Sequence, residues 1–422
     1  MFNASVSNEA HLRARLPCRF VVSYSSVVAS IACFAASLQI AADDWPRWRG
    51  PDFNGISKEA GWSTSWPQEG PRQLWKASVG TGFSSIAVSG GRAYTTGNDG
   101  RQDTVYCFDA NTGAVVWKYS YDAPIDPHYY EGGTSATPTV DDNKTYTIGK
   151  RGQVFCFDAA TGKVVWSKNL AGETGAKVPE WGFAGSALVE GGLVIFNAGD
   201  AGAALDRESG KVVWSNGRGS AGYSSPILFD QGGRRSVLMM ALRSIVAVDP
   251  KTGRELWQYP WKTLYDVNAA DPVITGDRTL VSSGYDHGCA LLRVATGGNP
   301  ALLWQNKNLR NHFSSSLIVG DSVFGFDESE LKCLELQSGN VRWTERSLGK
   351  GSLMASDGKL IVLGEKGQLV VADASPSAFK PLARAQVIGG KCWTAPVLAN
   401  GKIYCRNAKG DVVCVDVSGK AN

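Results

Sequence analysis

Short runs of alternating apolar and polar residues, broken by turn-forming residues, recur along most of the chain, and many of them close on one phrase. FDANTGAVVW ends at Trp117, FDAATGKVVW at Trp166, LDRESGKVVW at Trp214, VDPKTGRELW at Trp257 and LELQSGNVRW at Trp343. With Trp75 and Trp304, these tryptophans stand 39 to 49 residues apart. Four strands of about 5 residues, three turns and a return loop consume about 40 residues, so each period predicts a four-stranded antiparallel sheet. The first hairpin of each period carries Gly90-Gly91, Asp142-Asn143, Gly191-Gly192, Gly232-Gly233, Gly276-Asp277, Gly320-Asp321, Asp357-Gly358 or Asn400-Gly401, which counts eight units. These residue types tolerate the positive φ of tight hairpins. In the Asp-x-x-Thr-Gly phrase, an Asx-type bond is expected to hold the turn, with Gly113, Gly162, Gly210, Gly253 and Gly339 supplying its left-handed residue.

A lone four-stranded sheet leaves two edges open and cannot bury both faces, so eight of them must stack around an axis. The expectation is an all-β, eight-bladed β-propeller. The last unit ends at VVCVD with no tryptophan strand after it, and PRQLWKASV around Trp75 has no unit of its own. The first segment therefore completes the last blade and closes the ring N- to C-terminus. In the seventh unit the segment Leu382 to Ala385 is expected to replace the missing tryptophan strand. The organisation read from the chain is a signal peptide at 1–42, a lead-in at 43–73 and the propeller at 74–419.

Composition agrees with strands and turns: of 422 residues, 43% are apolar, with 49 Gly and 14 Trp but only 4 Met. Lys plus Arg number 43 against 39 Asp plus Glu, and Arg13, Arg15 and Arg19 fall in the N-terminal segment. The remainder is close to neutral and carries no nucleic-acid footprint. Those arginines precede an apolar stretch from Phe20 to Ala42, as in a secretory signal peptide cleaved after Ala42. An uncleaved anchor is the alternative, and lipoprotein processing at Cys33 is disfavoured by Ser30. The expected location is periplasmic or secreted, with membrane association only through a partner or an uncleaved N-terminal segment. Seven of the nine cysteines remain after such cleavage. Cys107, Cys156, Cys333 and Cys414 recur two residues before an acidic residue, which suits a repeated buried slot. With three histidines beyond the signal segment and no paired Cys or Cys/His spacing, no metal is expected.

The phrase Asp-Ala-x-Thr-Gly-Lys-x-x-Trp at Asp158 to Trp166, nearly repeated at Asp109 to Trp117, resembles the tryptophan-docking motif of quinoprotein-type propellers. WPRWRGPDFNGIS resembles the lead-in of single-propeller PQQ-like repeat proteins. The resemblance spans about 350 residues and implies one of three roles: a pyrroloquinoline quinone alcohol dehydrogenase, a BamB-like scaffold of outer-membrane protein assembly, or a propeller module of bacterial kinases. The dehydrogenases hold quinone and calcium with adjacent cysteines, and this sequence has none, so no quinone or calcium ligand is carried over. No kinase motif set is present. The expectation is a non-catalytic scaffold that binds an envelope protein or peptide and needs no cofactor. The alternatives are a small-ligand or PQQ-dependent oxidoreductase and a carbohydrate-binding or sensory propeller.

Candidate contact residues come from the starts of the innermost strands. FSSIA, SATPT, FAGSA, YSSPI, AADPV, FSSSL and WTAPV fall in one register, with small residues where strands converge on the axis. Just before them stand Phe83, Phe183, Tyr223, Phe313 and Trp393. These rings either rim the channel mouth or wedge between blades. The entering loops add Asp126, His128, Tyr129, Tyr130 and Glu131, then Glu180 and Trp181, Tyr265 and Asp266, Arg310 and His312, Lys350 and Lys391. Mixed signs with exposed aromatics suit protein or glycan contact better than phosphate. His128, Glu131 and His312 are a candidate acid/base or metal cluster across blades. Gly217, Gly219 and Gly222 spell G-x-G-x-x-G but precede a strand start, so a blade connection is expected rather than a dinucleotide site.

Overall fold

The computed structural model describes residues 44–128, 130–231, 233–294 and 298–419. The signal peptide expected at 1–42, Tyr129 and Gly232 lie outside them.

The repeated phrase folds through its aspartate. Asp109 Oδ1 accepts from the backbone N–H groups of Asn111 (3.0 Å) and Thr112 (2.9 Å) and from Thr112 Oγ1 (3.0 Å), and Asp158 and Asp249 repeat the pattern. This turn fixes Gly113 at φ 71°. A Cβ there would also collide with Trp75, whose indole lies across the turn from the neighbouring blade. Trp75 Nε1 donates to Ala110 O (3.1 Å), and Trp117, Trp166, Trp214, Trp304 and Trp343 donate likewise to Ala159, Arg207, Pro250, Leu336 and Ser375. Each such tryptophan therefore closes a seam between blades with a satisfied N–H and a ring that is buried or, for Trp304 and Trp343, partly buried. Truncating one to alanine costs about 3 to 5 kcal/mol.

The recurring cysteines belong to the same device. Cys107 lies opposite Trp117 on one side and Tyr94 on the other, and Cys156, Cys414 and Cys333 repeat the row with Trp166 and Tyr146, Trp75 and Tyr404, and Trp343 and Phe324. A small side chain is needed between two rings. All seven cysteines of the described residues are buried and unpaired, and burial pushes the Cys107 thiol up to about 11 and Cys414 to about 12.

The described residues form eight sheets. Blade 1 runs outward through Ala87–Ser89, Arg92–Asn98, Gln102–Asp109 and Val115–Asp122. The innermost strands of blades 2 to 8 are Thr139–Asp141, Leu188–Glu190, Ile227–Gln231, Val273–Thr275, Leu317–Val319, Ser352–Ser356 and Val397–Ala399. Gln73–Ser78 pairs antiparallel with Asp411–Asp416 as the outer strand of blade 8, so the first propeller strand seals the ring. Pro381–Gln386 supplies the outer strand of blade 7, with Ala383 in the tryptophan's row. At the closing seam the buried Arg406 donates to Ser84 O (2.8 Å), Thr96 O (2.6 Å) and Gly80 O (3.2 Å) of blade 1. Apolar clusters span neighbouring blades, for example Tyr94, Cys107 and Trp117 with Val140, Phe155 and Phe157.

A hydrogen-bonded belt joins the inner strands. The backbone N–H groups of Ser85, Thr137, Ser186, Ser225 and Asp271 donate in turn to Thr137 Oγ1, Ser186 Oγ, Ser225 Oγ, Asp271 Oδ1 and Ser315 Oγ at 2.8 to 2.9 Å. The small residues at the axis thus link blades as well as fitting there.

Candidate functional site

The axis has two unlike mouths. On the side of the first hairpins, the lead-in crosses the channel: Trp45 exchanges backbone bonds with Val88 of blade 1 (2.8 Å each way), Pro46 O accepts from Val140 N of blade 2 (2.8 Å), and Ile56–Ser57 pairs parallel with the inner strand of blade 7. Trp48 Nε1 bonds Asp271 of blade 5, and Arg49 Nη2 donates to Ser316 O of blade 6 (2.8 Å). Arg49 lies 4.0 Å from Asp271, and both are buried. Burial pushes the Asp271 carboxyl up and Arg49 down, each partly offset by the other's charge.

The mouth at the entering loops stays open onto a cavity of about 820 Å³. Trp48 lines it from the lead-in side, with Ser135, Thr137, Ser186, Ser225 and Asp271 of the inner strands. The rim holds Phe83, Tyr130, Glu180, Trp181, Tyr223, Leu264, Tyr265, Asp266, Tyr285, His312, Phe313, Trp393 and Thr394. Seven of these rings touch in succession: Tyr130, Phe83, Trp393, Phe313, His312, Tyr285 and Tyr265, with centroids 4.6 to 5.9 Å apart. Trp181 and Tyr223 form a separate pair at 5.7 Å, with His128 beside Trp181 at 6.4 Å. Asp266, Tyr285, Asp286 and Glu328 all hold left-handed φ of 53 to 58° in the loops of this sector, a conformation that costs non-glycine residues of order 1 kcal/mol or more and clusters at binding sites.

Of the residues singled out in the sequence, Phe83, Tyr223, Phe313, Trp393, Trp181 and His312 line the cavity. Lys350 stands just behind, its Nζ 2.9 Å from both Glu328 Oε2 and His312 Nδ1 and 5.8 Å from the Phe313 and Trp393 ring centres. Phe183 is a correction: it is 2% exposed and packs among Leu170, Val154 and Phe196 between blades 2 and 3. Blade 3 carries one more residue between its ring and its strand, so Ala184 occupies the cavity position. A one-residue slip turns a side chain to the opposite face. His128, Glu131 and His312 do not converge: His128 faces Glu180 (3.6 Å), Glu131 binds Lys391 (2.7 Å) and His312 sits against Lys350. Burial and Lys350 lower the His312 imidazole to about 4, so it is neutral at physiological pH. The G-x-G-x-x-G segment turns around Asp200, whose carboxylate sits where Cβ atoms on Gly217 and Gly219 would lie, and leads to the strand Ile227–Gln231.

Sequence reasoning missed Trp48, Asp271 and Tyr285. Asp271 did carry a signal, a carboxylate in a register otherwise occupied by Ser, Thr and other small residues.

Against this geometry, the sequence profile of the family described as outer membrane protein assembly factor BamB matches residues 61–134 and 126–345. The chain belongs to that family. No curated protein sequence matches it significantly. BamB from Moraxella catarrhalis superposes with a TM-score of 0.63 at 18% identity, covering 82% of this chain and 99% of that one. The quinohemoprotein alcohol dehydrogenase of Comamonas testosteroni gives 0.65 at 15%, covering 90% and 81%. The computationally designed Ika8 protein gives 0.59 at 15%, covering 85% and 100%. At such identities the likeness shows the fold. Enzymes, an assembly factor and a designed ring share it, so function must be argued from the site.

The dehydrogenase likeness raises the question of a quinone. The cavity of this BamB-family chain is a poor match for a tricarboxylate quinone: besides tyrosines, the ionisable groups lining it are Glu180, Asp266, Asp271 and His312, and no Lys or Arg lines it. Asp266 is taken by Arg243 (2.7 Å), and Asp271 by Trp48 and the belt. Among the described residues no three His, Cys, Asp or Glu side chains gather as metal ligands do. No helix of the described residues is long and apolar enough to cross a membrane.

Proposed function

We propose that this BamB-family propeller is an exported, non-catalytic scaffold that captures an envelope protein at its open mouth. The observation that carries the reading is the chain of touching rings around a cavity of about 820 Å³, extended outward by Leu264 and Tyr265, which are 73% and 57% exposed. Exposed Tyr and Trp beside a preformed concavity are the usual anchors of protein interfaces. The BamB of Moraxella catarrhalis shares the fold, and the family's description names outer-membrane protein assembly, which makes envelope polypeptides the partner class to test.

The test is crosslinking in the native envelope, with wild type beside a chain carrying Phe313→Ala, Tyr223→Ala and Trp393→Ala. Capture of an envelope polypeptide should fall about tenfold or more in the triple variant. Undiminished capture by a folded triple variant rejects this mouth as the site. The oxidoreductase reading has its own arm: purified protein that retains added pyrroloquinoline quinone stoichiometrically in the presence of calcium would replace the scaffold reading.

A further inference from the structure

The open mouth also limits what it can hold. Most of its carboxylates are matched within the protein: Asp266 binds Arg243 (2.7 Å), Glu328 binds Lys350 (2.9 Å) and Glu131 binds Lys391 (2.7 Å), while the exposed Glu180 has His128 at 3.6 Å. A cationic ligand group at Asp266, Glu328 or Glu131 would have to displace a lysine or an arginine. An anionic one would meet carboxylates with no Lys or Arg in the lining. The rings themselves are committed on one side. Lys391 lies 4.3 Å from the Trp393 centroid, Lys150 4.4 Å from that of Tyr130, and Lys350 5.8 Å from that of Phe313. A cation–π contact uses the negative face of a ring, and a second cation on the opposite face is repelled by the first.

The hydroxyl groups deep in the cavity are partly committed. Thr137, Ser186 and Ser225 accept the backbone N–H groups of the neighbouring blades in the belt. Each keeps its O–H to donate, so the preference for apolar faces over a sugar's hydroxyls rests on the rings and on the lip. Leu264, the most exposed large aliphatic side chain of the described residues at 73%, forms part of the lip.

From this charge census we infer that the occupant of the open mouth is an uncharged, aromatic-bearing segment of a partner polypeptide, held by ring stacking and apolar burial. The inference rests on the scaffold reading and names its ligand chemistry. It commits the site to binding that ignores ionic strength, since no ion pair forms on association.

The probes are acetylated, amidated hexapeptides titrated into the full chain and followed by calorimetry: one alternating Ser and Phe, one with its central Phe replaced by Lys, and one with Glu there. A neutral oligosaccharide serves as a fourth probe. The Ser–Phe peptide should bind with less than about a twofold change in Kd between about 0.05 and 0.5 M salt. The Lys and Glu peptides should bind about tenfold more weakly. Leu264→Ser, at an exposed site that leaves the fold intact, should weaken the Ser–Phe peptide about threefold or more, and Trp393→Ala more strongly.

Tighter binding of either charged peptide, a strong fall with salt, or binding of the oligosaccharide with none of the peptides overturns the inference. Absence of binding by every probe overturns it too. If the triple variant still loses envelope capture in those cases, the scaffold reading stands while its ligand chemistry fails. If capture survives in the triple variant, both fall.

Discussion

The two mouths of the channel are built from the same inner strands and end in opposite states. At the closed mouth, the buried Asp271 gathers Trp48, Arg49 and the Ser225 N–H, so one carboxylate ties the lead-in to the belt. At the open mouth, charges are paired near solvent, and the rings are left facing a cavity. Buried polar groups must be satisfied by fixed partners, which makes a rigid plug. Apolar rings carry no such demand, so they can be exposed at modest cost and then covered by a partner.

That contrast can be broken at several points. The largest effect is expected from Asp271→Ala, which leaves Arg49 buried without its counter-charge and orphans two donors. Urea unfolding should show a loss of about 3 to 5 kcal/mol. A loss under about 1 kcal/mol would mean that the plug is not keyed by this carboxylate.

The next effect comes from acid. The His312 imidazole is held near 4 against an ordinary 6.5 by burial and by Lys350, with Glu328 opposing. The unfolded chain therefore binds the proton first. The contribution of this group to stability is complete above about 6.5 and is lost as the pH falls toward about 4. His312→Gln should flatten the stability–pH curve in that window relative to wild type, and an unchanged slope would place the imidazole in water instead.

Smaller still, Glu180→Ala at the solvated rim should shift stability by no more than about 0.5 kcal/mol in the same urea assay, an order of magnitude below Asp271→Ala. The least change is expected for thiol labelling of the folded protein at neutral pH. The seven cysteines of the described residues are buried between blades, so they should react only after unfolding. Rapid labelling of Cys107 or Cys156 would show that the seams open.

How far the sequence reached follows from what repeats. The aspartate turns, their glycines and the docking tryptophans recur with one period, and each was legible because local chemistry and the eight-fold pattern gave the same answer. The ring closure by Trp75 was legible for the same reason, as a strand left over at one end and missing at the other. Phe183 was misplaced because FAGSA matches its sister segments by eye, while the strand it leads into begins one residue later. Trp48 and Tyr285 joined the site unannounced, since they lie outside the repeated phrases, while Asp271 stood out only as a carboxylate in a register of small residues, its bond to Trp48 not being legible there.

By itself, then, the sequence determined the fold and its axis, because a blade cannot bury its faces without neighbours and eight identical demands admit one arrangement. Only the tertiary structure decided which mouth is plugged and which is open. It also decided that most carboxylates around the open one already face a lysine or an arginine. Both depend on contacts such as Trp48 to Asp271 and Lys350 to Glu328, between residues brought together by the closing of the ring rather than by any pattern along the chain.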